Sequence, residues 1–298
     1  MTKNFYHLFA NGDDAKDFIT TEQEFKSAFN RFGVCAYLAD VVVVSFSIED
    51  SHPHGLLFGT LENCCRFRDL YKSMTIKSIA RHRGNADGVR LNFELDMVTD
   101  SNYLMNVATY TIVQPTKDGK SVMPYDYLYG TGAMYFRSRN AVLPWMVDND
   151  SKVSDPVRLG DLTIRERLKI CGSNTTLPSD WLVCNGFILP SNYVDVQRFE
   201  GIYRTHNCYR VYLCSNKQKD AVVLNRMSEV RGVKYEDLEA RRICSETCQE
   251  LFSKASTRHL NIEERLRLAQ TLRRKYRFSI RQLSFLVHLP ETELEKYV

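Results

Sequence analysis

No stretch of this chain approaches the ~20 consecutive apolar residues that a membrane-spanning helix needs, so no membrane partner is expected. The first residues, Met1-Thr2-Lys3-Asn4-Phe5-Tyr6, lack the apolar segment of a secretory leader. Internal repeats and low-complexity tracts are missing as well, which leaves no sign of a repeat array or a compositionally biased tail. Neither sign of charge dominates: 40 Lys and Arg against 36 Asp and Glu leave a net charge of +4, too small to identify a partner. What the cysteines lack is order. There are nine, an odd number at irregular spacings with Cys64 and Cys65 adjacent, which is no disulfide framework. Cys244 and Cys248, with His259 nearby, do not complete a four-ligand zinc spacing. These absences together predict reduced thiols and a cytoplasmic protein.

What is present is an ordinary globular balance, 44% hydrophobic and 26% charged over 298 residues, enough for one large or two ordinary domains. The hydrophobic pattern predicts a strand over residues 5–10, one or two helices within 13–32 and a buried strand from Cys35 to Ser47. A return strand from His52 to Thr60 would complete a hairpin. A helix of about twenty residues follows. Val89 to Val98 reads as a strand, and Asp100-Ser101 opens a helix that should stop near Pro115. This order predicts an α+β fold, a central antiparallel sheet flanked by helices, with a mostly helical C-terminal region. The expected division is residues 1–140, a mixed region 141–234, and helices over 235–298. Ile280, Leu283, Leu286 and Val287 with Pro290 give the last segment a helix-turn-helix pattern.

Two short motifs carry the chemistry. His52-Pro53-His54 follows the valine-rich strand, and His-x-His on a strand turns two imidazoles to one face because side chains alternate. Tyr110 and Gln114 are four apart in the helical segment and therefore share a face as well. Brought together, these faces would join His52, His54 and the Gln114 amide oxygen as metal ligands beside the Tyr110 phenol. A phenol with a pKa near 10 is a poor nucleophile at neutral pH, and a phosphodiester is an anionic electrophile. A divalent cation answers both difficulties.

At these residues the chain resembles the HUH single-strand endonucleases that use one catalytic tyrosine, and within them the REP-associated tyrosine transposases. The resemblance covers roughly residues 5–135. It rests on Ser51-His52-Pro53-His54-Gly55-Leu56-Leu57, on Tyr110-Thr111-Ile112-Val113-Gln114-Pro115-Thr116-Lys117-Asp118-Gly119, and on Pro124-Tyr125-Asp126-Tyr127. Pro53 stands where the family has a bulky apolar residue, and Gln114 where the branch more often has Asn. The resemblance implies an HUH palm, Tyr110 as nucleophile, and His52, His54 and Gln114 holding Mg2+ or Mn2+. It further implies cleavage and rejoining of single-stranded DNA near hairpins through a 5′-phosphotyrosine, by a monomer or by a homodimer sharing active sites. A nucleoid-associated location follows from such a partner.

Basic side chains suited to a phosphate backbone are Lys72, Lys77, Arg81 and Arg83 on the long helix, Lys117 after the tyrosine, and Arg281 beside Gln282 in the terminal helices. Two other functions fit the same residues: a non-catalytic DNA-binding regulator that retains the fold, and a nickase of the replication-initiator type. Tyr125, Tyr127, Tyr129 and Tyr135 could stack on unpaired bases, although burial is the commoner fate of aromatics.

Overall fold

The computed structural model describes residues 2–10, 18–50, 53–138, 141–148, 150–214, 217–233, 235–254 and 256–298. They form two compact units, Met1–Val223 and Leu224–Val298. The first is α+β and the second is helical, as the hydrophobic pattern predicts.

In the first unit, β1 (Asn4–Phe9) is followed by α1 (Glu22–Ala39). Thr21 caps α1 by accepting from the Glu24 amide at 3.3 Å, and Asp40 ends it in the left-handed region at φ 53°. Helix therefore occupies 35–39, where the sequence pattern suggested the start of a strand. Cys35 and Ala36 are apolar enough for either structure, and the helix prevails because Phe29, Phe32 and Cys35 lie at helical spacing and are all fully buried. β2 (Val42–Ser47) and β3 (His54–Gly59) are the expected hairpin. Pro53 lies just before β3, so its missing amide costs no ladder hydrogen bond. α2 (Leu61–Arg83) runs from a Thr60 cap to Gly84. β4 (Glu94–Val98) is shorter than the predicted 89–98, and α3 (Ser101–Lys117) begins at an Asp100 cap. Pro115 falls inside the last turn of α3, two residues before its end.

The four strands form an antiparallel sheet in the order β2-β3-β1-β4. Register decides which side chains face which layer. Gly55 pairs with Phe46 on one face, and a Cβ at Gly55 would come within 2.8 Å of the Phe32 ring. That face carries α1 and α2 through Phe32, which stacks on Phe46 at 4.3 Å and meets Phe67 at 4.9 Å. On the opposite face, Ser47 pairs with His54, and Ser45 shares a 2.6 Å hydrogen bond with Thr111 of α3.

The outer edge of β2 is covered. Tyr127 and Tyr135 donate their hydroxyls to the Ile48 and Val44 carbonyls at 2.6 and 2.7 Å, and Gly130 bridges to Ser47. Covering an edge in this way removes a template for pairing with another chain. Burial, not base stacking, is thus the role of Tyr127 and Tyr135.

The residues after 141 pack into the first unit up to Val223. They contribute β5 (Val157–Arg158), α4 (Ile164–Cys171), β6 (Leu182–Cys184) and β7 (Phe187–Ile188). They are held to α1 by the buried Asn30, whose amide donates to the Ile170 and Gly186 carbonyls and accepts from the Ile188 amide. α5 (Val196–Tyr203) and α6 (His206–Leu213) then close over α3, with Tyr203 and Thr109 hydroxyls 2.6 Å apart. α7 (Lys217–Arg231) contains the division between the units.

The second unit continues with α8 (Asp237–Phe252), α9 (Ile262–Tyr276), α10 (Ile280–Val287) and α11 (Glu291–Tyr297). Leu268, Leu272, Phe278, Leu283 and Val287 are fully buried at its centre. His288 makes the turn between α10 and α11 at φ 55°, a left-handed position that glycine would occupy with less strain. Cys244 and Cys248 belong to this core as packing thiols.

Candidate active site

The face of the sheet beneath α3 is where the sequence motifs meet. Tyr110 and Gln114 lie one turn apart and look down on β3 and β1. The Tyr110 ring stands perpendicular to the His54 ring with centroids 5.2 Å apart. Ser51 and His52 lie outside the described residues, so the first histidine of the motif has no described position.

One site residue escapes the sequence reading altogether. His7, in the middle of β1, is directed to the same face. Its ring centroid is 5.8 Å from that of His54, with planes 23° apart, and 6.4 Å from that of Tyr110. The register explains this: Phe9 pairs with His54, so His7 is its diagonal neighbour two residues along. A histidine at the centre of an apolar strand was the available signal, but its meaning depends on which strands pair.

The site is dry. His7 and His54 are wholly buried and Tyr110 is 4% exposed. Burial holds the His7 imidazole neutral by lowering its pKa to about 3. Neither ring nitrogen of His7 has a hydrogen-bond partner among the described residues, and the buried Gln114 Oε1 has none either. An orphaned buried polar atom costs roughly 1–3 kcal/mol, so such donors and acceptors are normally matched. A bound cation is one group that would satisfy atoms of this kind. Neutral imidazole nitrogen and amide oxygen are both competent ligands. Among the described residues, no three His, Cys, Asp or Glu side chains gather as a metal cluster. The donors present are thus two imidazoles and one amide.

The Tyr110 pKa is pushed well up, first by burial and then by the negative charges of Asp220, Glu49 and Asp118. Glu49, which follows β2, is itself fully buried. Desolvation and the neighbouring Asp118 raise its pKa to about 9, so it is protonated at neutral pH. Lys117 lies with Nζ 5.0 Å from the centroid of the Tyr110 ring and is ion-paired to Asp220 of α7. Lys120 is paired with Asp50. Both lysines are therefore engaged by carboxylates.

The basic residues of α2 do not gather here. Lys72, Lys77, Arg81 and Arg83 are on α2, across the sheet from Tyr110. Lys72 donates to Asn92 at 3.0 Å, and Arg81 to the Gly172 carbonyl at 3.4 Å. Arg83 makes a two-pronged pair with the buried Glu24 at 2.6 and 2.7 Å. Lys77 is exposed. Arg281 and Gln282 are in the second unit. Arg281 is exposed there, and the Gln282 amide both accepts from and donates to the Tyr235 backbone, at 3.2 and 2.6 Å. Of the five in the first unit, Lys117 alone stands beside Tyr110.

No family model matches this chain, and no curated protein matches it. A solved structure of a REP-associated tyrosine transposase bound to a REP hairpin is similar over 43% of this chain and 75% of its own, at 12% identity and a TM-score of 0.30. A likeness so slight does not assign a function. No helix among the described residues is long and apolar enough to cross a membrane.

Proposed function

We propose that this protein cleaves and rejoins single-stranded DNA through a covalent link to Tyr110, with hairpin-bearing DNA as its substrate. The observation that supports this most directly is the contact of the Tyr110 ring with His54, with a buried, unpartnered Gln114 oxygen one helical turn further along α3. Those residue types were expected together from motifs far apart in the chain.

In the proposed reaction the Tyr110 oxygen attacks a backbone phosphorus in line with the 3′ oxygen. The new bond is a 5′-phosphotyrosine, the broken one is phosphorus to 3′ oxygen, and the departing strand ends in a 3′ hydroxyl after taking a proton. The tyrosyl ester retains the energy of the diester, so a 3′ hydroxyl can reverse the step and join a new strand. His54 and Gln114, with His52, would hold Mg2+ or Mn2+, which when bound neutralises phosphate charge and favours ionisation of the phenol. Tyr110 is kept on the ligand face by its one-turn spacing from Gln114 and by the Ser45–Thr111 hydrogen bond that pins α3 to β2. Lys117 would meet a phosphate oxygen on exchanging Asp220 for the substrate.

A second reading is favoured by the burial of Tyr110: a regulator that binds DNA without cutting it. A titration with EDTA, following binding and cleavage of a hairpin-bearing single strand in parallel, separates the two. The proposed enzyme loses cleavage and keeps at least part of its binding. Binding indifferent to metal, with no cleavage at any Mn2+ concentration, would establish the regulator instead.

A further inference from the structure

We propose that His7 is an additional ligand of the divalent cation, so that two neighbouring strands each supply an imidazole to one site. This assignment rests on the metal-dependent reading above and extends its ligand set.

His7 is in place for that role by strand pairing alone. β1 and β3 are hydrogen-bonded neighbours, and the register sets the two imidazoles on the same face, diagonal to one another. Their centroids are 5.8 Å apart with nearly parallel planes, a spacing at which two rings can turn nitrogens toward a common point. The Tyr110 ring meets both edge-on, and Gln114 extends from the next turn of α3. The side chain is wholly buried, yet both of its nitrogens lack hydrogen-bond partners among the described residues. A neutral imidazole has one donor and one acceptor, and a histidine kept only for packing would be expected to satisfy at least one of them. An apolar residue would fill the same volume without that penalty. A cation would engage a ring nitrogen that packing alone leaves without a partner among the described residues.

The test is Mn2+ binding to the full-length protein, read from the electron paramagnetic resonance signal of free Mn2+, for the wild type, His7→Phe, His7→Gln and His54→Ala. Phenylalanine fills the site without nitrogen, and glutamine serves if that variant does not fold. The expected result is a loss of affinity of about tenfold or more in each variant, the scale typical of disturbing a metal site. His7→Phe should unfold at the same temperature as the wild type or higher, because two orphaned atoms are removed. If the His7 variants bind Mn2+ as the wild type does while His54→Ala does not, His7 is no ligand and the proposed function stands. If the wild type binds no Mn2+, or His54→Ala binds it unchanged, the metal-dependent reading falls and this assignment with it.

Discussion

Single residues around Tyr110 are set by desolvation more than by pairing. Glu49 illustrates the consequence. Its folded pKa of about 9 lies above the ordinary carboxylate value of 4.5, so between those values the folded chain holds a proton that the unfolded chain has released. The contribution is present in full below the unfolded value and is lost as pH rises toward 9. Urea unfolding of Glu49→Gln should accordingly show a flatter decline in stability between pH 5 and 9 than the wild type (approximate bounds following from the two pKa values). An identical slope in the two proteins would mean that Glu49 does not carry this proton. The shared helix face of Tyr110 and Gln114 was legible in the sequence because helix periodicity fixes which residues lie one turn apart. His7 and Glu49 were not. The orientation of His7 acquires meaning only through the β1–β3 register, and the burial of Glu49 depends on elements distant in the chain.

At the scale of elements, the sheet and α1 are positioned by close approaches that permit little variation. Gly55 faces Phe32, which is locked among Phe46, Phe67 and Tyr71. Gly55→Ala should therefore destabilise the protein by about 1–3 kcal/mol, measured by chemical denaturation. A neutral effect would show that the Phe32 ring can yield. The first turn of α7 matters for a different reason, since Asp220 occupies Lys117. Asp220→Asn should raise affinity for single-stranded DNA about two- to fivefold, the equivalent of a partly exposed ion pair. Unchanged or weaker binding in a filter or anisotropy assay would exclude Lys117 from the DNA contact. Most element types were readable from apolar spacing and caps, with Thr21, Thr60 and Asp100 all serving as N-caps. The boundary at 35–41 was not, because Val34, Cys35 and Ala36 suit helix and strand alike and only packing against the sheet decides.

The whole molecule combines a sheet-based unit with a helical one, and the two differ in how openly the sequence declares them. The second unit was legible as helices because its apolar positions recur at helical spacing. Its last helix carries Glu291, Glu293 and Glu295 against Lys296, a poor match for a phosphate backbone. The region from 141 to 223 was read only in part, since its strands are two or three residues long and the segment is tied to α1 through Asn30, at Ile170, Gly186 and Ile188. The proposed cleavage requires that the Tyr110 phenol be a nucleophile. The most direct measurement is transfer of a labelled single-stranded hairpin oligonucleotide to protein in the presence of Mn2+, resolved on a denaturing gel. The account predicts a covalent adduct with the wild type and none with Tyr110→Phe, which should still bind the strand. An adduct that persists in Tyr110→Phe, or a wild type that forms none across a randomised pool of single strands, would contradict it.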